Sequence, residues 1–165
     1  DGPGGDGPGG DGPGGDGPAG DGPGGGENPC GPDSTCAALT DAEWADAKSK
    51  YPRLVRENCC KLGPADATYN CIAWTINVTD RWVWTEVDEL HGDGDGIYEV
   101  TDFDAFYAYY KVNAIIYGTS SNDVKHGAKP LDNNCASSKR GANILMRHDR
   151  NELEGGFYGN ILKTY

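Results

Sequence analysis

The sequence predicts an α+β fold, a small helical subdomain packed on an antiparallel sheet, preceded by an extended N-terminal tail. Three observations predict it. Residues 1–26 repeat Asp-Gly-Pro-Gly-Gly with one Ala as the only variation, so they carry no side chain able to build a core. The rest of the chain places helical periodicities first and short β-rich runs after them, and such segregation favours an antiparallel sheet over alternating βαβ units. Six cysteines against one Met suit a disulfide framework in an oxidising compartment. The chain thus divides into the tail (1–26), a Cys-containing junction (27–38) and a globular domain (39–165).

In the tail, Pro3, Pro8, Pro13, Pro18 and Pro23 fix φ and push each preceding Gly away from helix, which favours polyproline II. At ~3.1 Å per residue the segment would reach roughly 80 Å. Collagen needs Gly at every third position, and the period here is five. Asp1, Asp6, Asp11, Asp16 and Asp21 therefore rotate over all faces of a three-fold rod, so a dry bundle is disfavoured. Gly-rich faces still admit a neighbouring backbone. The leading expectation is docking onto neighbouring copies of the chain in a polymer, with these Asp and Pro residues as the assembly contacts. The alternative is a plain spacer.

In the globular part, Thr40-Asp41-Ala42-Glu43 fits a capping box and opens a helix through Lys50, with Trp44, Ala47 and Tyr51 on one face. Pro52 ends it, and Arg53 to Asn58 have room for one further turn. Asp66 is placed to cap a second helix carrying Tyr69, Ile72, Ala73 and Ile76. Arg81 to Val87 alternates and is rich in β formers, so it reads as a strand. Thr101 caps a third helix with Phe103, Phe106, Tyr107 and Tyr110 in a stripe. Ala114 to Tyr117, Asn143 to Arg147 and Phe157 to Leu162 read as strands. His126 is followed by Pro130, so any strand there is expected to be short and at an edge.

Net charge is −12, and a cationic surface for nucleic acid or anionic membrane is not expected. No run of ~18 apolar residues exists to insert into a bilayer. The chain starts at Asp1 without Met or signal peptide, which suggests a processed, secreted protein. The sequon Asn77-Val78-Thr79 is compatible with N-glycosylation. Cys30, Cys36, Cys59, Cys60, Cys71 and Cys135 are all disulfide candidates, with adjacent Cys59 and Cys60 stapling different elements.

Three groups of residues carry candidate chemistry. Cys71, in Tyr69-Asn70-Cys71-Ile72-Ala73-Trp74, opens a helix whose dipole favours a thiolate; its other reading is a disulfide or a small buried hydrophobe. Asp93, Asp95 and Asp102 fall on the third, fifth and last ligand positions of an EF-hand loop, with Gly96 at its turn and His91 where the first Asp belongs. They are candidate calcium ligands; the alternative is a solvated acidic turn. Trp74, Trp82, Trp84 and the tyrosines of 107–117 could stack on a glycan or simply fill the core.

The Tyr69–Trp74 segment resembles a small family of bacterial and fungal domains that share a YNCIAW-type motif. The resemblance extends through Asp93-Gly94-Asp95-Gly96, the Phe103 helix, Lys125-His126-Gly127-Ala128, Ser138-Lys139, His148 and Tyr158-Gly159. A Cys on a helix, then a His on a strand, then a polar residue on a later strand looks like the papain-like peptidase layout. That resemblance implies Cys71 as nucleophile, His126 as general base and His148 as orienting group. The leading expectation is a secreted structural subunit assembled through its tail. A papain-like cysteine hydrolase on a spacer and a calcium-dependent adhesive module are the alternatives.

Overall fold

Thr40 opens the first helix, α1 (Asp41–Lys50), through the predicted capping box: its hydroxyl accepts from the Glu43 N–H at 3.1 Å, and the Glu43 carboxylate accepts from the Thr40 N–H at 2.9 Å. In this computed structural model residues 28–86 and 92–165 are described. The repeat tail 1–26, Glu27 and residues 87–91, with the assembly residues, Val87 and His91, lie outside the described residues.

After a single 3-10 turn at Arg56–Asn58 the chain enters β1 (Cys59–Gly63), then α2 (Cys71–Thr75) and α3 (Val100–Tyr110). Five strands follow: β2 (Ile115–Ser120), β3 (Asp123–Pro130), β4 (Cys135–Lys139), β5 (Leu145–Asp149) and β6 (Asn160–Thr164). They form a six-stranded sheet in the order β1-β5-β4-β3-β2-β6, and every neighbouring pair is antiparallel. The α+β class is as the sequence predicts.

Each face of the sheet carries its own core. Ile115, Tyr117, Ala128, Ala136, Met146 and Cys59 share one face and pack with Ala47, Tyr51 and Leu54 from α1 and its continuation, and with Leu153 and Tyr158. Ile116 and Val124 lie in the second core with Ile72 and Ala73 of α2 and Phe103, Phe106 and Tyr107 of α3. Gly127 makes the approach of α2 possible, since a Cβ there would stand 2.8 Å from Ile72 Cδ1 and 3.1 Å from the Tyr107 hydroxyl. Layering helices over both faces buries the middle of the sheet, so β4 is buried at every position, while the edge strand β6 has no buried residue.

Several elements differ from the sequence reading, each for a local reason. The described part of 81–87 forms no strand. The Asn70 side chain takes both the N–H and the carbonyl of Val83, at 3.0 Å each, so that backbone has no capacity left for a ladder. Asn70, not Asp66, caps α2, accepting from the Ala73 N–H; Asp66 instead turns its carboxylate onto Thr68. Glu99, not Thr101, caps α3 in a reciprocal arrangement with Asp102. β3 is an interior strand eight residues long, with Pro130 tolerated as its last residue.

Candidate functional site

Four of the six cysteines are bonded. Cys30 joins Cys135 at the start of β4, and Cys36 joins Cys60 on β1. Cys59 and Cys71 are free thiols, which corrects the expectation that all six are disulfide-bonded. Alternation along β1 explains Cys59: Cys60 faces the junction, so its neighbour points into the opposite core, away from any partner.

Cys71 occupies the first turn of α2 and is 4% exposed. The backbone N–H groups of Gly127, Ile72 and Cys71 itself favour its thiolate. Burial outweighs them and pushes the thiol up to about 11. Cys71 is therefore a protonated thiol. His126 precedes Gly127 on β3 and is fully buried, its ring stacked on Tyr158 at 3.9 Å and 5°. Neither of its ring nitrogens has a hydrogen-bond partner among the described residues, so the expected contact with Cys71 is not made here. Burial drives its pKa well below the ordinary value, and the nearby His148 and Arg140 push the same way.

The ladder between β3 and β4 holds only two pairs, Lys129↔Ser137 and Pro130↔Ala136. The strands part toward His126 and Lys139, and α2 lies against both. His148, two strands away on β5, does not orient His126. Its Nε2 meets the Ser138 hydroxyl at 2.7 Å and its Nδ1 faces the Asp149 carbonyl at 2.8 Å. The carbonyl can only accept, so Nδ1 carries the proton and Ser138 donates to Nε2. Burial holds His148 at about 4, so it is neutral.

Tyr51, Tyr158 and Arg140 complete the cluster. The Tyr51 and Tyr158 rings pack with centroids 5.3 Å apart, and the Arg140 guanidinium lies 5.6 Å from the Tyr51 ring centroid. Burial raises both phenols above their ordinary range. Sequence reasoning gave Tyr51 only a packing role and missed Arg140, although Arg140 directly follows the Ser138-Lys139 pair that the resemblance singles out. Lys139 itself is buried and spends its ammonium on the carbonyls of Asp66, Tyr69 and Gly141.

The acidic loop gathers more carboxylates than the sequence reading named. Glu86, Asp93 and Asp102 form one group able to hold a cation, and Asp93, Asp95 and Glu99 form a second. Asp102 is raised by burial and by Glu86, and Glu99 by burial and by Asp95 and Asp93. Asp95 is lowered by the Ile97 N–H. These five side chains could coordinate a divalent ion with oxygen ligands.

Asn77 is exposed at the end of α2, in a left-handed conformation (φ 64°), and its side-chain oxygen accepts from Lys129. Trp74 and Trp84 are half-buried against protein, Trp74 donating to Ser137 at 3.0 Å and Trp84 packing on Tyr98. Trp82 is 41% exposed and donates to the Ala67 carbonyl.

The fold and this cluster define an α+β domain whose sheet shelters a free thiol and two neutral imidazoles. The chain belongs to the family described as domain of unknown function DUF7689, whose profile matches residues 60–165. The match spans α2 and β2 to β6, and so takes in Cys71, His126, Arg140, His148 and Tyr158. Comparison with curated proteins finds no match, and comparison with solved structures finds none either.

Proposed function

We propose that this domain is a papain-like cysteine hydrolase that works outside the cell, with Cys71 as nucleophile and His126 as its base. The observation that carries this reading is a free cysteine buried at the first residue of α2, where that helix packs against β3, the strand of His126. The backbone N–H groups of Gly127, Ile72 and Cys71 favour the thiolate that a cysteine nucleophile needs. In a chain with two disulfides, a thiol left unbonded beside a histidine strand also fits a reactive role. The neutral thiol and neutral imidazole describe a resting, covered site. Catalysis requires His126, which stacks on Tyr158 of the first core, to come within reach of Cys71, which lies in the second. Two disulfides suit an oxidising compartment, and no helix among the described residues is long and apolar enough to cross a membrane. Secretion and glycosylation of Asn77 are part of the same proposal.

The experiment is iodoacetamide labelling of the native chain, followed by peptide mass spectrometry. Cys71 should label faster as pH rises, and His126→Ala should slow it. Cys59, fully buried and also pushed up to about 11 by burial, serves as the internal control. Equal protection of both thiols until the chain unfolds would overturn the reading.

A second reading adds assembly of copies through residues 1–26. What favours it is that the two disulfides fasten residues 30 and 36, just after that segment, to the sheet. A chain lacking the repeat that still forms the same oligomers would sink it.

A further inference from the structure

Lys139, the last residue of β4, is fully buried, a rare place for a lysine. Side chains alternate along a strand, so Ser137 and Lys139 share one face of β4. That face carries α2. Ser137 accepts from the Trp74 indole at 3.0 Å, and the Lys139 ammonium donates to the Tyr69 carbonyl at 3.3 Å, with the Tyr69 ring centroid 4.6 Å away. The carbonyls of Asp66 and Gly141 take Nζ at 2.5 Å each. Tyr69 directly precedes the cap Asn70, and Cys71 follows as the first residue of α2. Cys71 thus lies between the two points at which β4 holds this segment.

The charge of that ammonium is the second argument. Its three donors are used, yet every acceptor is a neutral carbonyl. None of the ion pairs among the described residues involves Lys139, and Asp66 turns its carboxylate onto Thr68. A buried cation without a counter-charge is costly, so packing alone does not account for a lysine here. The other groups around Cys71 are neutral or engaged elsewhere. Tyr51, Tyr107 and Tyr158 feel a charge on Cys71, but burial keeps these phenols neutral, as it does His126. On β3, Lys125 pairs with Asp123, while Lys129 lies over the Trp74 ring and donates to Asn77. On α3, Asp102 caps the helix and Asp104 takes Lys163 and Tyr165. Arg140 lies against Tyr51 of the other core, its Nε and Nη2 unmet among the described residues. Between Cys71 and Lys139 the attraction runs both ways.

We propose that Lys139 is a positioning residue for Cys71: its carbonyl bonds fix the approach of the chain to α2, and its buried ammonium is the counter-charge for a thiolate formed there. This rests on the cysteine hydrolase reading for the use of that thiolate, but the pairing of the two charges does not need catalysis. Ionising the thiol with Lys139 in place turns an unpaired buried cation into half of an ion pair, which offsets part of what burial costs the thiolate.

The test is carbon-13 NMR of the native full chain, labelled at cysteine Cβ and lysine Cε and titrated upward from pH ~7. The Cys71 signal should move with a midpoint near about 11, and the Lys139 signal should shift at the same pH. Coupling is reciprocal, so Cys71→Ala should erase that step and let Lys139 lose its proton at lower pH. Lys139→Met removes the charge, and the thiolate fraction of Cys71 at a given pH should fall at least ~10-fold while that of Cys59 holds. A folded Lys139→Met chain with the wild-type Cys71 midpoint overturns the proposal. So does a Lys139 signal indifferent to Cys71, or a Cys71 that stays protonated until the chain unfolds. If Lys139→Met fails to fold, the wild type and Cys71→Ala decide. If Cys71 resists iodoacetamide yet titrates together with Lys139, the hydrolase reading falls and the pairing stands; if it labels while Lys139→Met leaves its midpoint unmoved, the reverse holds.

Discussion

Mild acid should weaken this protein through its buried imidazoles, and His148 allows the size to be worked out. It is fully buried, proton on Nδ1, and held at about 4 chiefly by burial. In the unfolded chain the same group titrates near ~6.5. The folded value is depressed, so the unfolded state takes up the proton first as pH falls. The stability contributed by the neutral, buried ring is intact above about pH 6.5 and is lost progressively down to about pH 4. Linkage gives a loss of about 2 kcal/mol at pH ~5 and about 3 kcal/mol at pH ~4 for this one residue. His126, also driven down by burial, adds a loss of the same sign. Glu99, Asp102 and Glu152, raised mainly by burial, act in the opposite sense. Comparing the wild type with His148→Gln cancels everything but His148, since the amide can still accept from Ser138. Urea unfolding followed by far-UV circular dichroism at pH ~7, ~6 and ~5 should show the wild type losing about 2 kcal/mol more than the variant. Parallel curves for the two chains would refute the reasoning.

The other predictions concern the disulfides, the α2 cap and the acidic loop. Cys30–Cys135 closes a separation of 105 residues and Cys36–Cys60 one of 24. Replacing each pair by Ala should cost about 5 and about 3.5 kcal/mol in urea unfolding, with the longer closure the more expensive. Asn70→Ala removes the α2 cap and strands the Val83 N–H and carbonyl in the interior. It should cost about 2–4 kcal/mol, and a loss below about 1 kcal/mol would contradict the bonding described. Calcium at about 1 mM should raise Tm by calorimetry if the loop binds it in the affinity range of extracellular sites, and chelator or Asp95→Asn should abolish the rise. A Tm indifferent to calcium assigns the loop to a solvated acidic turn.

What the sequence made legible was whatever is written locally. The α1 cap is complete within Thr40 to Glu43, and the Phe103–Tyr110 stripe needs only its own periodicity. β1 and β4 were not foreseen and β3 only as a short edge strand, because Cys-Cys-Lys, Cys-Ala-Ser-Ser-Lys and Lys-His-Gly-Ala-Lys lack the β-branched and aromatic residues that announce strands. Their pairing and burial come from partners far along the chain. The strand expected at 81–87 failed for the same reason in reverse: good β formers lost their backbone groups to a distant asparagine side chain. At the candidate site, the motif around Cys71 did mark a helix start, since Cys71 is the first residue of α2. The role given to His148 did not hold, because Ser138 stands between it and the rest. Arg140 carried no local signature at all; only its unmet donors mark it.

The anchoring of the junction has a mechanical consequence. Cys30 is tied to the first residue of β4, an inner strand of the sheet, and Cys36 to β1 at its rim. A pull on residue 28 from the preceding chain would pass through a covalent bond at residue 30 into the middle of the sheet. It would bypass α1 and the hydrogen bonds that hold β1 in place. Under tension the amino-terminal side would not peel strand by strand; the load would fall first on the inner ladders, and reducing one bond would switch the molecule from rigid to yielding.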